Sequence, residues 1–70
     1  PLDRDTCFAG EVGLSGEIRP VARLDERMSE AARLGMKRML VSGHGKRPPT
    51  PKGLTLVPIK RVSEIQRVIF

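Results

Sequence analysis

The residues in this 70-residue chain best placed to do chemistry are cations. Lys37, Arg38, Lys46, Arg47, Lys52, Lys60 and Arg61 all fall in the second half. Residues 36 to 70 carry eight Lys and Arg against Glu64 alone, while residues 1 to 35 carry five Arg against seven Asp and Glu. The halves therefore stand at +7 and −2 within a total of +5. A cluster of this kind can neutralise phosphates without reading bases, which gives salt-dependent, sequence-independent binding to a nucleic-acid backbone. With two Phe and no Trp or Tyr there are no interleaved aromatics for a base-stacking platform. Ordinary solubilising charge is the other reading of the same residues.

Other strings meet the requirements of known chemistry less well. Gly10, Gly13 and Gly16 are spaced by three, whereas a dinucleotide fingerprint needs G-x-G-x-x-G at a strand-to-helix turn. Gly43-His44-Gly45-Lys46 looks like the tail of a phosphate-binding P-loop. Arg47, however, stands where a magnesium-holding Ser or Thr is needed, Leu40 where the first glycine belongs, and Pro48-Pro49 stop a helix from following. One cysteine and one histidine exclude an internal disulfide and an ordinary Cys/His metal cluster. Cys7 reads as a small buried hydrophobe, and His44 has no obvious carboxylate partner. The acid pairs Asp25-Glu26 and Glu26-Glu30 read as a solvated helix face beside Arg23, Arg27 and Arg33. No catalytic residue, metal ligand or cofactor site is expected within these residues.

The elements that must hold the cations follow from periodicity. Thr6 to Val12 has strand character, Ile18 to Val21 is a second short apolar run, and Gly13-Leu14-Ser15-Gly16 between them is a hairpin turn, so the two runs are expected to pair antiparallel. From Arg23 the period lengthens. Leu24, Met28, Ala31, Ala32 and Gly35 share one helical face, Asp25 and Glu26 sit where the helix dipole favours acids, and Gly35 is placed as a C-terminal cap. Met36 to Val41 and Leu54 to Ile59 read as strands covered on both faces, as in parallel sheets. Between them, Ser42 to Gly53 holds three prolines and three glycines and must be a loop. Val62 to Phe70, with Ser63 and Gln66 at capping-box spacing, reads as a terminal helix. The result is an α/β (α+β) class: a β-hairpin followed by β-α-β-type units with a right-handed crossover through the first helix.

Seventy residues make at most one small domain, in a size range where stability is marginal. An aliphatic core in so short a chain is expected of a single partial domain, residues 1 to 70, belonging to something larger. Opening on Pro1 rather than Met fits a fragment or a processed chain. No apolar run reaches the length of about 18 residues that spans a bilayer. A lone thiol without an export signal favours a reducing, cytoplasmic home.

The hairpin Phe8-Ala9-Gly10-Glu11-Val12-Gly13-Leu14-Ser15-Gly16-Glu17-Ile18-Arg19-Pro20-Val21 has the pattern G-E-x-x-L-x-G-x-x-x-P, and Arg23 to Gly35 has the pattern R-x-x-E-R-x-x-E-A-A-x-L-G. Together with Met36-Lys37-Arg38 these residues resemble the C-terminal Lon-protease-like domain of bacterial RadA/Sms DNA-repair ATPases. The likeness is strong over residues 6 to 41 and weaker through Leu54 to Ile59 and Val62 to Phe70. It implies a bacterial cytoplasmic repair and recombination factor whose zinc-binding module and ATPase core act on branched DNA, with a Lon-like domain that assembles a hexameric ring and contributes to DNA binding. ATP, magnesium and zinc are implied for the parent protein, whose Walker motifs, zinc cysteines and linking motif lie outside these residues. Lon peptidases use a Ser-Lys dyad; the serine would lie upstream of residue 1, and the lysine position aligns with Asp25, an acid that cannot serve as that base. The expectation is thus a non-catalytic scaffold. A divergent Ser-Lys peptidase, a magnesium-chelatase-like AAA protein and a pure oligomerisation module remain as alternatives. Ser42 to Gly53 departs from the Asn-containing segment usual in the family, so a DNA contact there rests on charge alone.

Overall fold

A computed structural model describes residues 4 to 65. Strands β1 (Thr6–Ala9), β2 (Glu11–Val12) and β3 (Ile18–Arg19) precede helix α1 (Leu24–Arg33), and β4 (Arg38–Ser42) and β5 (Thr55–Ile59) follow it. A three-stranded sheet has the order β1-β4-β5, with both pairings parallel, and β2 and β3 form a separate antiparallel pair. The α/β class and the doubly covered β4 follow the periodicity, but Ser42, expected in the loop, ends β4, and β5, expected to be covered on both faces, is an edge strand that leaves Thr55 and Pro58 exposed.

The expected hairpin needs correction. Thr6 to Val12 does not run as one strand against Ile18 to Val21. Gly10 divides it, so that Thr6–Ala9 pairs in parallel with Arg38–Val41 while only Glu11–Val12 meets Ile18–Arg19. The physical reason is close approach. A Cβ on Gly10 would lie 2.9 Å from Ile18 Cγ2 and 3.0 Å from Phe8 Cζ, so the chain can fold back over the sheet only where no side chain intervenes. The crossover joining β1 to β4 consequently contains the hairpin as well as α1. The terminal helix begins with Ser63 to Ile65 in helical conformation, and 66 to 70 lie outside the described residues. Just before it, Oε1 of Glu64 accepts the backbone N–H groups of Lys60 (2.9 Å) and Arg61 (3.0 Å), and the expected capping pair of Ser63 with Gln66 lies in part outside the described residues.

Helix α1 buries Met28 and Ala31 and half-buries Leu24 and Ala32, as its spacing requires. Its end is a Schellman motif: the Gly35 N–H reaches Ala32 O, the Met36 N–H reaches Ala31 O, and Gly35 adopts φ +85°. Arg23, at φ 57°, begins it in a left-handed conformation unusual for a residue with a side chain. Strand β4 divides the core between its two faces. Met39 and Val41 join Ala9, Met28, Ala31 and Leu54 on the helix side, while Leu40 joins Ile18 and Ile59 on the hairpin side. Burying a side chain such as Met28 or Leu40 stabilises by roughly 1.5–3 kcal/mol. Pro58, which has no N–H to give a ladder, lies in β5, an edge strand of this sheet.

Gly10→Ala is expected to overpack this junction and lower stability by about 1–3 kcal/mol. A urea melt of the variant with an unchanged midpoint would show that Ile18 and Phe8 can yield.

Candidate nucleic-acid interface

The parallel order of β4 and β5 decides where the seven cations go. A chain leaving β4 at Ser42 must travel back along the sheet before entering β5 at Thr55, a distance of about 13 Å for a five-residue strand. The basic loop therefore spans the sheet, and the cations divide between its two ends.

At the end where β4 begins stand Lys37, Arg38 and Lys52. Lys37 Nζ lies 3.7 Å from Asp5 Oδ2, and the half-buried Arg38 donates from Nε to Thr6 Oγ1 at 3.1 Å. Lys52 lies in the turn closed by the Leu54 N–H on Pro51 O, next to Thr55, whose N–H bonds to Lys37 O. At the opposite end, where both strands finish, stand Lys46, Arg47, Lys60 and Arg61. The Arg47 guanidinium donates from Nη1 to Ser42 O at 3.3 Å, and Arg61 donates from Nη2 to Ser15 O in the hairpin turn. Among the described residues these four make no ion pair with a carboxylate.

Three interactions build this second end. The Gly43 N–H bonds to Ile59 O at 2.7 Å, which keeps β4 and β5 together past their last ladder pair. The aliphatic stem of Lys60 lies against Gly43, where a Cβ would come 2.9 Å from its Cγ, and Gly45 at φ +77° turns the loop beside Pro20. Ser42, 4% exposed, donates its hydroxyl to Ile18 O at 2.9 Å and accepts the His44 N–H at 3.1 Å. The backbone of Ile18 bonds in turn to Lys60 O at 2.8 Å, and the Val62 N–H to Gly16 O at 2.8 Å, so hairpin, loop and the segment after β5 form one unit.

The two acids nearest this surface are already engaged. Glu64 caps the chain after β5. Glu17 accepts Ser15 Oγ at 2.7 Å and Arg19 Nη2 at 2.8 Å, and these bonds, Ser15 first, hold its carboxyl at about 2 against an ordinary 4.5. Glu17 is therefore ionised and spent on Arg19 rather than on Arg61. Neither Ser42 nor Glu17 was singled out from the sequence as part of the site. Ser42-Gly43-His44 has the look of a hydroxyl-anchored turn, which was the available signal for the first; nothing local marked the second.

The remaining chemistry-bearing residues lie elsewhere. Cys7 Sγ sits 3.5 Å from Arg38 O, and burial pushes its thiol up, away from an activated thiolate. Cys7 also lines a groove of about 350 Å³ between α1 and β1, with Phe8, Ala31, Leu34, Met36 and Met39, well away from the four-cation end. Asp25 is exposed on α1, in a shallow depression with Glu26, Ser29, Glu30 and Arg33. Among the described residues no three His, Cys, Asp or Glu side chains come together to hold a metal ion, and no helix is long and apolar enough to cross a membrane.

The depressed carboxyl of Glu17 gives a signed pH effect. Its contribution to hairpin stability is complete above about 4.5 and disappears as the pH falls toward 2. A Cβ on Gly13 would lie 2.2 Å from this carboxylate. Gly13→Ala should displace it and move its midpoint, followed by NMR titration, up toward 4.5; a midpoint still near 2 would mean that the cage accommodates the methyl group.

No family model matches the chain. Curated proteins do. The DNA repair protein RadA of Bacillus subtilis is 45% identical over 68 residues, which is 96% of this chain and 15% of that protein. RadA of Escherichia coli is 42% identical over 64 residues, 91% of the chain and 14% of the protein, and RadA of Streptococcus pneumoniae is 35% identical over 71 residues, 100% and 17%. Over nearly its whole length the chain thus corresponds to a segment of RadA proteins, one that spans 14 to 17% of the length of these relatives.

Proposed function

We propose that this segment is a phosphate-binding scaffold within a DNA repair protein, with Lys46, Arg47, Lys60 and Arg61 turned toward the backbone of duplex DNA. The observation that carries the reading is the placement of these four cations at one end of the sheet, none of them ion-paired to a carboxylate among the described residues: Glu17 is paired with Arg19, and Glu64, the one acid held at this end, binds backbone N–H groups. Guanidinium and ammonium groups around a glycine-bordered loop can approach phosphates closely and release counterions, which gives affinity without base specificity. The name DNA repair protein, carried by the relatives, supports the setting.

In the same reading the segment is the C-terminal part of a Lon-like domain in a cytoplasmic, hexameric protein, and it supports ring assembly rather than catalysis. Asp25 supports the non-catalytic role, since an exposed carboxylate at the head of α1 cannot replace a lysine base. ATP, magnesium and zinc would be held by other parts of the protein.

Charge reversal at Lys46, Arg47, Lys60 and Arg61 in the intact protein should weaken duplex binding and flatten its dependence on log salt by up to about 0.9 per lost phosphate contact. Reversal at Lys37 and Lys52, at the opposite end of the sheet, should do markedly less. Equal effects from the two ends, or none from either, would remove the interface. Size measurement with and without DNA separates this reading from self-association alone, in which assembly survives the charge reversal and DNA has no effect.

A further inference from the structure

The four-cation end depends on a loop of glycines, which has little conformational preference of its own. Gly43 and Gly45 bracket His44, and Lys46 and Arg47 follow at once. A loop of this composition would sample many conformations, and holding two cations toward one phosphate track would cost ordering entropy on binding. The structure contains a device that meets this cost in advance. All of the hydrogen-bonding groups of Ser42 that reach toward the loop and the hairpin are in use. The hydroxyl donates to Ile18 O at 2.9 Å and accepts the His44 N–H at 3.1 Å, and the carbonyl accepts Arg47 Nη1 at 3.3 Å. Ser42 is itself 4% exposed at the end of a strand paired along its length, so it is a fixed point. Ile18, its partner in the hairpin, is fully buried.

We infer that Ser42 is the positioning residue of the phosphate-binding surface: its buried hydroxyl pins the Gly43–Arg47 loop to the hairpin so that Lys46 and Arg47 are held beside Lys60 and Arg61 before DNA arrives. The inference rests on the DNA-backbone reading above. It assigns to Ser42 no contact with DNA, and the hydroxyl acts entirely through the loop.

The test uses the intact protein and a random-sequence duplex, with affinity measured by fluorescence anisotropy across a salt series. Ser42→Ala is expected to bind about fivefold more weakly, the size of one lost hydrogen bond, and with a shallower salt slope. Ser42→Thr, which retains the hydroxyl, should recover most of both. In the unaltered protein the His44 amide should exchange slowly with solvent despite the exposure of its side chain, and in Ser42→Ala it should exchange rapidly. A Ser42→Ala protein with unchanged affinity and slope, alongside a Lys46→Glu/Arg47→Glu protein that binds weakly, would overturn the positioning role and leave the DNA reading intact. If Lys46→Glu/Arg47→Glu binds as tightly as the unaltered protein, the DNA reading fails and the inference fails with it. Should Ser42→Ala not fold, rapid exchange of the His44 amide in the unaltered protein would overturn the inference by itself.

Discussion

The burial of β4 is the constraint on which the rest of this structure depends. Met39, Leu40 and Val41 are at most 3% exposed, and the strand is paired along both edges. A strand with a ladder on each side must be covered on both faces to keep its apolar side chains from water, and among the described residues α1 lies over one face while the hairpin, with Ile65 beside it, lies over the other. The helix face of Met28 and Ala31 covers Met39 and Val41; Ile18 of the hairpin covers Leu40. Gly10 makes this possible, because it lets one polypeptide turn from pairing with β4 to packing above it within a single residue.

The same constraint shapes the charged surface. A central strand flanked by parallel neighbours forces each connection to return the length of the sheet, and the connection from β4 to β5 does so with prolines and glycines instead of a helix. The cations it carries are separated as a result, Lys46 and Arg47 remaining with the strand ends they leave and Lys52 travelling to the other side. Which acids stay available is decided locally. Glu17 is paired with Arg19, whereas Glu64, held by the backbone N–H groups of Lys60 and Arg61, keeps its negative charge at the four-cation end and offsets part of it.

Much of this was legible in the residues. The 3.6-residue spacing of Leu24, Met28 and Ala31 and the position of Gly35 defined α1 and its cap, because both signals are local. The unbroken apolar character of Met39-Leu40-Val41 marked a strand covered twice. What was not legible is what depends on partners distant in sequence. Thr6 to Val12 carries one continuous strand pattern, and its division at Gly10 is decided by Ile18 and Phe8 meeting above it. The seven cations looked like one cluster because sequence proximity was the available measure, whereas the direction of β5 decides their grouping. Ser42 looked like an ordinary loop residue, and its importance comes from Ile18 O, 24 positions away.

The register of β1 on β4 has a consequence for the order of assembly. Thr6 and Arg38 are neighbours in the sheet and 32 residues apart in the chain. Closing a loop of that length is entropically unfavourable until the contacts it brings have formed, so pairings of this kind arrive late and limit the rate. The Gly13–Glu17 turn and α1 involve short separations and can form while the strands on either side are still apart. Strand β1 is therefore completed only after β4 exists to receive it, and until then Cys7, Phe8 and Ala9 lack their β4 ladder, an opening for pairing with the same strand of another copy.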